Sequence, residues 1–357
     1  MSRARFHDLT IRAIHREAED AVAITLAIPE ALREAFAFLP GQSLTVRRPE
    51  DAEDQRRSYS VCSTPGGEDV SIGVREIPGG RLSPWLNREA RVGDTLQCLP
   101  PDGQFCLKDA GSPARHLLLI GAGSGITPLL SIARTALASS AGHRVTLLYG
   151  NRSVASTMFR EALEDLKDRH LQRFDLHYLF SREAQDIPLH EGRLDRAKVE
   201  TFLGRLVPVE TIDDVYLCGP NAMLDDVAAG LRAAGVPQAR IHLERFGAPD
   251  LAPDAAITTP QAVTAARIKL IIDGKTRTIP LTDARTTVLE AARAAGLDLP
   301  FSCRTGVCAT CRAKVISGEV QMTRNFALLE EDLAAGIILT CQAHPVTPEV
   351  TVSFDER

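Results

Sequence analysis

The stretch FSCRTGVCATC, residues 301 to 311, places three cysteines within nine residues and so decides how this part of the chain folds. A fourth cysteine is separated from the third by 29 residues, which gives the pattern C-x4-C-x2-C-x29-C. Its members are Cys303, Cys308, Cys311 and Cys341. Thiolates bind soft metals, and closely spaced thiolates can surround one face of a metal cluster. The pattern therefore predicts a metal centre in this region.

Two kinds of centre are compatible with these cysteines. The spacing matches the plant-type [2Fe–2S] ligand pattern, and Gly306 with its small neighbours would let the loop curl around inorganic sulfide. Structural zinc sites favour two C-x2-C pairs, whereas this stretch contains one such pair. The spacing favours the [2Fe–2S] cluster, with a zinc site or a chance grouping of core cysteines as the alternatives.

Residues 263–357 resemble the plant-type ferredoxins. The resemblance runs through CRTGVCATCRAKVISGEV and continues in LLEEDLAAGIILTCQAHP and VTVSFDE. It implies a β-grasp fold, a one-electron centre, and the four cysteines as iron ligands.

The rest of the chain divides into two further regions and a linker. Residues 1–110 contain short β-like runs such as AVAITLAI, RSYSVCS and DVSIGVRE between Gly and Pro turns, which predict an antiparallel β-barrel or sandwich. Residues 111–247 alternate apolar strands with helical stretches, as in HLLLIGAG followed by TPLLSIARTALAS, which predicts an α/β domain with a parallel sheet. Residues 248–262 hold three prolines and predict an interdomain linker.

The bulk composition excludes several classes of protein. The net charge of −5 and pI of about 6.0 argue against a general nucleic-acid-binding protein. The sequence contains no run of 18 or more apolar residues, so it predicts no membrane-spanning helix. The first residues do not resemble a signal peptide. Eight cysteines, four of them grouped, fit a reducing compartment with a metal cluster. We therefore expect a cytoplasmic protein.

The segment LLLIGAGSGITPLLS predicts a phosphate-binding loop. A strand ends at Ile120, glycines follow, and Thr127-Pro128 are expected to start a helix, with the threonine as its cap. Phosphate could then approach backbone N–H groups at the positive end of that helix. The segment is not the dinucleotide fingerprint G-x-G-x-x-G, because Ile126 stands at the third glycine position.

Two segments of the first region, RRSYSVCS and GVREIPGGRLSPWL, resemble the R-x-Y-S flavin motif and the G-x-x-S phosphate loop of the ferredoxin–NADP reductase superfamily. The resemblance implies a flavin site. In RRSYSVCS, Arg57 could neutralise a phosphate, Tyr59 could pack along the flavin, and Ser60 could bond its edge near N5. In GVREIPGGRLSPWL, Gly80–Ser83 could form a loop that cradles a diphosphate at a helix start. A diphosphate indicates FAD rather than FMN.

With YLCGPNAM, these segments resemble the ferredoxin–NADP reductase superfamily. The resemblance implies that Ser60, Thr127 and Cys218 lie at the site of hydride transfer. It implies that the remaining FAD and nucleotide contacts are made by Arg57, Tyr59, Val74, Arg75, Gly80, Arg81, Leu82, Ser83, Gly123, Gly219, Pro220 and Phe246.

The segment LFSRE bears on the choice between NADPH and NADH. Ser181 and Arg182 fall where NADPH-preferring relatives place groups that bind the 2′-phosphate, and arginine suits phosphate binding. An exposed surface arginine is the alternative. We expect NADPH, with NADH as the less favoured donor.

The order of the three regions, with VREIPGGRLSPWLN, YLCGPNAMLDDV and IHLERF, resembles the reductase subunits of bacterial phenylacetyl-CoA epoxidases. The resemblance implies electron flow from NADPH through FAD and [2Fe–2S] to a di-iron oxygenase complex in phenylacetate catabolism. The alternatives are a reductase for a Rieske ring-hydroxylating oxygenase or demethylase, a free-standing ferric or quinone reductase, and a non-catalytic subunit that only carries a cluster.

Overall fold

The computed structural model describes residues 5–49, 54–111, 113–248, 263 and 265–356. These residues form two compact units. The first unit comprises Met1–His7, Arg56–Ser58 and Phe246–Arg357, and the second comprises Asp8–Gln55 and Tyr59–Arg245. Most of the predicted linker, residues 249–262, lies outside the described residues.

The N-terminal part of the chain forms a six-stranded sheet with the order β4-β3-β6-β1-β2-β5, most of whose residues belong to the second unit. Its strands are β1 (His7–Ala18), β2 (Ala21–Ala27), β3 (Ser43–Arg47), β4 (Arg56–Ser60), β5 (Asp69–Arg75) and β6 (Thr95–Cys98), and α1 (Leu82–Arg88) follows β5. The pairs β1–β2, β2–β5 and β3–β6 are antiparallel, and a bridge between Val61 and Ile72 closes the sheet. The predicted antiparallel barrel is confirmed.

Strand β1 is absent from the β-like runs identified in the sequence. Its buried positions, such as Leu9 and Ile11, alternate with exposed polar residues, so the strand has no continuous apolar run. Its inward residues join Ile24, Leu44 and Ile72 in the barrel core. One buried face is sufficient for an antiparallel strand, which explains why the apolar content of β1 is low.

The C-terminal part of the second unit is a parallel sheet with the order β11-β10-β7-β8-β9. Its strands are β7 (His116–Ala122), β8 (Arg144–Asn151), β9 (Phe174–Phe180), β10 (Asp214–Gly219) and β11 (Ile241–Arg245), and its helices are α2 (Ile126–Ser139), α3 (Arg160–Arg169), α4 (Arg196–Arg205) and α5 (Asn221–Ala233). Two apolar cores contain residues from both the strands and these helices. Burial on both faces explains the nearly continuous apolar runs of β7 and β8.

The first unit contains a mixed sheet with the order β13-β12-β18-β14-β16 and a two-stranded sheet of β15 and β17. The elements are β12 (Ala266–Ile272), β13 (Lys275–Leu281), α6 (Val288–Ala294), β14 (Arg312–Ser317), β15 (Val320–Met322), α7 (Glu330–Ala334), β16 (Ile337–Leu339), β17 (Ala343–Pro345) and β18 (Glu349–Ser353). Strands β12 and β18 run parallel, and a capping box of Thr287 and Glu290 starts α6. This arrangement agrees with the ferredoxin-type fold expected for this region.

No helix in the described part of the chain combines the length and apolar character needed to cross a bilayer. All eight cysteines are free thiols.

Candidate functional site

The cysteine loop lies between α6 and β14, and Cys341 lies in the turn after β16. Arg304, Gly306 and Ala309 have positive φ angles of 57°, 83° and 53°. This left-handed backbone bends the loop sharply. A Cβ atom at Gly306 would also lie 3.3 Å from the carbonyl oxygen of Arg324, so both conformation and space favour glycine there.

The four thiols of this loop and turn form two pairs, Cys303 with Cys308 and Cys311 with Cys341. The hydrogen bond with Cys308 lowers the pKa of Cys303, and the hydrogen bond with Cys311 lowers the pKa of Cys341. A [2Fe–2S] cluster held by four cysteines has two thiolates on each iron. The arrangement in pairs therefore fits such a cluster.

Backbone N–H groups also point at these sulfurs. The nitrogen of Thr305 lies 3.4 Å from Cys303 Sγ, and the nitrogen of Cys303 lies 3.5 Å from Cys308 Sγ. Within the described ranges, no three His, Cys, Asp or Glu side chains form a group that could hold one metal ion. Backbone donors directed at cysteine sulfurs fit an iron–sulfur cluster, because hydrogen bonds to the sulfurs help to set the potential of such clusters.

The segment before Cys303 is anchored by Arg56, to which no sequence motif had assigned a role. Within the first unit, the buried Arg56 donates to the carbonyl oxygen of Leu299 at 2.8 Å and pairs with Asp298. Its guanidinium carbon lies 4.0 Å from the ring centroid of Phe301. The pattern R-R-S-Y-S drew attention to the second arginine, whereas only the folded chain reveals the role of the first.

The predicted flavin residues Arg57, Tyr59 and Ser60 lie on β4. Arg57 is exposed, and its guanidinium donates to the neighbouring carbonyl oxygen of Arg56 at 2.8 Å. An exposed guanidinium could also receive a phosphate. Ser60 is buried. Because side chains alternate along a strand, Arg57 and Tyr59 lie on the face opposite Ser58 and Ser60.

The predicted diphosphate loop lies where expected, at the start of α1. The nitrogen of Gly80 donates to the carbonyl oxygen of Ile77 at 2.9 Å, and Ser83 Oγ accepts from the nitrogen of Ile77 at 3.1 Å. The Ser83 hydroxyl therefore closes the loop on itself. Arg81 stands at the position that precedes the helix, and Leu82 is buried below it.

Val74 and Arg75, also predicted to bind a cofactor, have other partners in this structure. The side chain of Val74 is fully buried in the barrel core. Arg75 donates to the carbonyl oxygen of Ser156 at 2.6 Å and lies 3.6 Å from Asp20. A cofactor role for either residue stays a prediction.

The glycine loop folds into a short turn, Gly123–Gly125, between β7 and α2. The expectation that Thr127 caps the helix is wrong, because α2 begins at Ile126 and Thr127 lies inside its first turn. Its Oγ1 donates to the carbonyl oxygen of Ser124 at 2.9 Å. Gly125 occupies the N-cap position instead.

The loop fits closely against the backbone at the end of β10. A Cβ atom at Gly125 would lie 2.1 Å from the carbonyl oxygen of Cys218. Thr127 is 1% exposed, and its Cγ2 would lie 2.4 Å from a Cβ at Gly73 of β5. Gly73 therefore lets Thr127 pack against the barrel. Gly125 lets the glycine loop pack against the backbone of Cys218.

Gly123, Gly219 and Pro220 support the same arrangement. The hydroxyl of Tyr149 donates to the carbonyl oxygen of Gly123 at 3.0 Å and so ties the loop to β8. Pro220 precedes α5, and a Cβ at Gly219 would lie 3.2 Å from the nitrogen of Ala122. The two predicted nucleotide segments therefore meet at the carboxyl ends of β7 and β10.

Glu244 completes a polar group with Ser60 and Cys218. Ser60 Oγ donates to Glu244 Oε2 at 3.2 Å, and Cys218 Sγ lies 3.8 Å from the same oxygen. Glu244 is beside Cys218 because β11 pairs with β10 in that register. In the sequence, HLERF drew attention to its phenylalanine and this glutamate was missed, although a charged residue in a strand of a buried sheet is itself a signal.

Burial raises the pKa of Glu244 to about 8, although hydrogen bonds from Ser60 and Cys218 act in the opposite direction. Burial and the neighbouring Glu244 raise the pKa of the Cys218 thiol as well. Both groups are therefore mainly neutral at pH 7. The group can hold a proton at Glu244 but presents no thiolate nucleophile.

The remaining predicted residues lie at the ends of β9 and β11. Ser181 and Arg182 are exposed, and their backbone nitrogens donate to the carbonyl oxygens of Asn151 and Arg152 at 3.0 and 2.9 Å. This bonding fixes the backbone and leaves both side chains directed at solvent-accessible space. Phe246 follows β11 and is 46% exposed.

Three domain families match successive parts of the chain. Residues 8–106 match an oxidoreductase FAD-binding domain, residues 119–229 an oxidoreductase NAD-binding domain, and residues 270–346 a 2Fe-2S iron–sulfur cluster binding domain.

Whole proteins with the same organisation are similar over nearly the full length. One subunit of the 1,2-phenylacetyl-CoA epoxidase from Escherichia coli is 41% identical, over 99% of this chain and 98% of that protein. The ferredoxin reductase component of 3-ketosteroid-9-alpha-monooxygenase from Rhodococcus rhodochrous is 35% identical, over 97% and 96%. The structure of phthalate dioxygenase reductase covers 98% of each chain with a TM-score of 0.59 and 24% identity.

Proposed function

Because the chain belongs to the family of oxidoreductases that join FAD-binding, NAD-binding and 2Fe-2S domains, we propose that it supplies electrons to a phenylacetyl-CoA epoxidase. The observation that carries the proposal is the 41% identity to an epoxidase subunit over nearly the whole chain. In the proposed sequence, electrons pass from NADPH through FAD and the [2Fe–2S] cluster to a di-iron oxygenase partner.

Together, the two resident cofactors would convert a hydride, which carries two electrons, into single electrons. The protein's part is to bind, orient and exclude water. Cys303, Cys308, Cys311 and Cys341 would hold the cluster, and Arg57 with the loop Gly80–Ser83 would hold the FAD diphosphate. Further proposed FAD contacts come from Tyr59, Ser60 and, through their backbone, Val74 and Arg75.

Ser60, Thr127 and Cys218 would surround the position where the nicotinamide meets the flavin. The contacts that connect Ser60 to Glu244 and Glu244 to Cys218 support this placement. The bulk of Thr127 and Cys218 would fix the nicotinamide at one depth and keep water out, which favours a productive geometry. Glu244 would hold a proton beside this position at neutral pH.

Replacing Glu244 by glutamine is expected to remove a pH dependence near pH 8 from flavin reduction by the nucleotide. The raised pKa means that the carboxyl is neutral below about pH 8 and anionic above it. An anion there opposes the negative charge that arrives with a hydride, so the wild-type rate should fall above pH 8. Anaerobic stopped-flow absorbance from pH 6 to 10 measures this rate.

Glu210→Gln, at an exposed position, is the matched control and should keep the wild-type profile. The raised pKa also predicts a trend in stability. Relative to Glu244→Gln, the wild-type free energy of unfolding should decline as pH rises from about 4.5 to about 8. A wild-type rate that is flat across pH 8 would contradict the role given to Glu244.

Ser181 and Arg182 support NADPH as the donor, because their exposed side chains leave room for a 2′-phosphate. Arg182→Ala should raise the KM for NADPH about tenfold to a hundredfold, the effect of losing a hydrogen bond to a charged group. The KM for NADH should stay unchanged. Arg205→Ala, at another exposed arginine, is the control. Equal losses with both nucleotides would show that Arg182 does not recognise the phosphate.

A second candidate is the reductase of a different oxygenase. It is favoured by the 35% identity to a 3-ketosteroid monooxygenase reductase component, which also extends over nearly the whole chain. The epoxidase is preferred because the identity to its subunit is higher.

We further propose the boundaries 1–110, 111–247, 248–262 and 263–357 for the three domains and linker. We also propose a cytoplasmic location, which is consistent with eight free thiols.

Reconstitution tests the proposed partner. The purified holoprotein is combined with the remaining epoxidase components, phenylacetyl-CoA, oxygen and NADPH, and product is measured by mass spectrometry. One NADPH and one O₂ should be consumed for each epoxide, with the second oxygen atom leaving as water. The 3-ketosteroid oxygenase component is the comparison. Turnover with that component and none with the epoxidase would select the second candidate.

A further inference from the structure

The side chain of Gln342, directly after the fourth cysteine, faces the sulfur of that cysteine. Gln342 is 7% exposed. Its Nε2 lies 3.6 Å from Cys341 Sγ, 2.9 Å from the carbonyl oxygen of Cys341 and 2.9 Å from the carbonyl oxygen of Arg304. A buried amide group therefore connects the three-cysteine loop, through Arg304, to the distant fourth cysteine.

Thr323 holds the oxygen end of this amide. Thr323 Oγ1 donates to Gln342 Oε1 at 2.8 Å, and the nitrogen of Thr323 donates to the backbone oxygen of Gln342 at 3.0 Å. The opposite orientation would put an amide oxygen against two carbonyl oxygens and a sulfur, all of them acceptors. The NH₂ group must therefore face Cys341.

We propose that Gln342 is a positioning residue that raises the reduction potential of the [2Fe–2S] cluster, and that Thr323 orients it. Reduction adds one negative charge, which spreads onto the cysteine sulfurs. A hydrogen-bond donor at a sulfur stabilises that charge, and hydrogen bonds to the sulfurs are among the factors that set cluster potentials. The inference rests on the cysteine ligands given under the proposed function.

The consequence for the reaction concerns how electrons are shared between the flavin and the cluster. A higher cluster potential draws electrons from the reduced flavin, whereas a lower one leaves them there. Gln342→Leu keeps most of the side-chain volume and removes the donor. Thr323→Val keeps the amide and removes the hydroxyl that orients it. Both variants should shift the midpoint potential of the cluster to more negative values, with the larger shift for Gln342→Leu.

Redox titration of the full-length holoprotein, followed by electron paramagnetic resonance of the reduced cluster, measures this shift. We expect the equilibrium constant for electron transfer from flavin to cluster to fall up to about tenfold in Gln342→Leu, which corresponds to about 59 mV for one electron. The Fe–S(Cys) stretching frequencies in resonance Raman spectra should rise, because a sulfur without a donor binds iron more strongly. Thr351→Val, where the hydroxyl meets Ser317 instead, should leave the potential unchanged.

Each outcome has a distinct meaning. Unchanged potentials in Gln342→Leu and Thr323→Val, with two irons bound per chain, would overturn the inference. If Gln342→Leu lost its iron, the decision would fall to Thr323→Val. An iron-loaded Thr323→Val with the wild-type potential would show that Gln342 is only structural. A wild-type protein that bound zinc or no iron would instead refute the cluster assignment on which the inference rests.

Discussion

Replacing Cys308 by serine should abolish electron delivery beyond the flavin while leaving flavin reduction intact. Cys308 is paired with Cys303, so in the proposed cluster its loss would leave one iron with a single thiolate. Loss of a residue that only hydrogen-bonds a metal ligand costs about 10–100-fold in metal affinity. Loss of the ligand itself should therefore cost more. NADPH-dependent reduction of cytochrome c, which needs single electrons, should fall by about a hundredfold or more. Iron content and the reduced-state resonance report the cluster directly.

Cys98→Ala provides the matched control, because Cys98 is a fully buried thiol in the barrel core. It should keep its iron and its cytochrome c activity even if its stability decreases. Ferricyanide, which can take electrons from the flavin, should still be reduced by Cys308→Ser. If Cys308→Ser kept both its iron and its cytochrome c activity, the ligand assignment would have to be abandoned.

Replacing Gly125 by alanine should have a comparably large effect, but on the step before the flavin. A Cβ atom there would lie 2.1 Å from the carbonyl oxygen and 2.4 Å from the carbonyl carbon of Cys218. Both are backbone atoms, so the loop or the Cys218 turn must move by about an ångström. A misplacement of that size can cost about a hundredfold in rate. Stopped-flow reduction of the flavin by NADPH measures the loss.

Gly204→Ala, in α4 of the same parallel-sheet region, is the control, because a Cβ there would meet nothing within 4 Å. It should reduce the flavin at the wild-type rate and gain slight helix stability. The cofactor contents of Gly125→Ala should match wild type, and dithionite should still reduce both cofactors. A normal rate of NADPH oxidation by Gly125→Ala would argue that the nucleotide binds elsewhere.

The sequence determined the order of the modules and much of their chemistry. The spacing of Cys303, Cys308 and Cys311, the glycine loop and the R-x-Y-S strand are each confined to one short segment. Residues this close along the chain stay close in any fold, so their spacing alone limits what they can bind. The alternation of apolar strands and helices likewise predicted the parallel sheet, because strands covered on both faces must be apolar throughout.

Only the tertiary structure decided which distant residues meet. Ser60 and Glu244 are separated by 184 positions, and Cys218 and Glu244 by 26, yet the register of β10 and β11 and the closure of the barrel bring the three together. The orientation of Gln342 depends in the same way on Thr323 and on the loop at Arg304. Such contacts arise from sheet topology and packing, which short-range spacing does not encode. For the same reason, the anchoring role of Arg56 became visible only in the folded chain, whereas β1 was missed because it has no continuous apolar run.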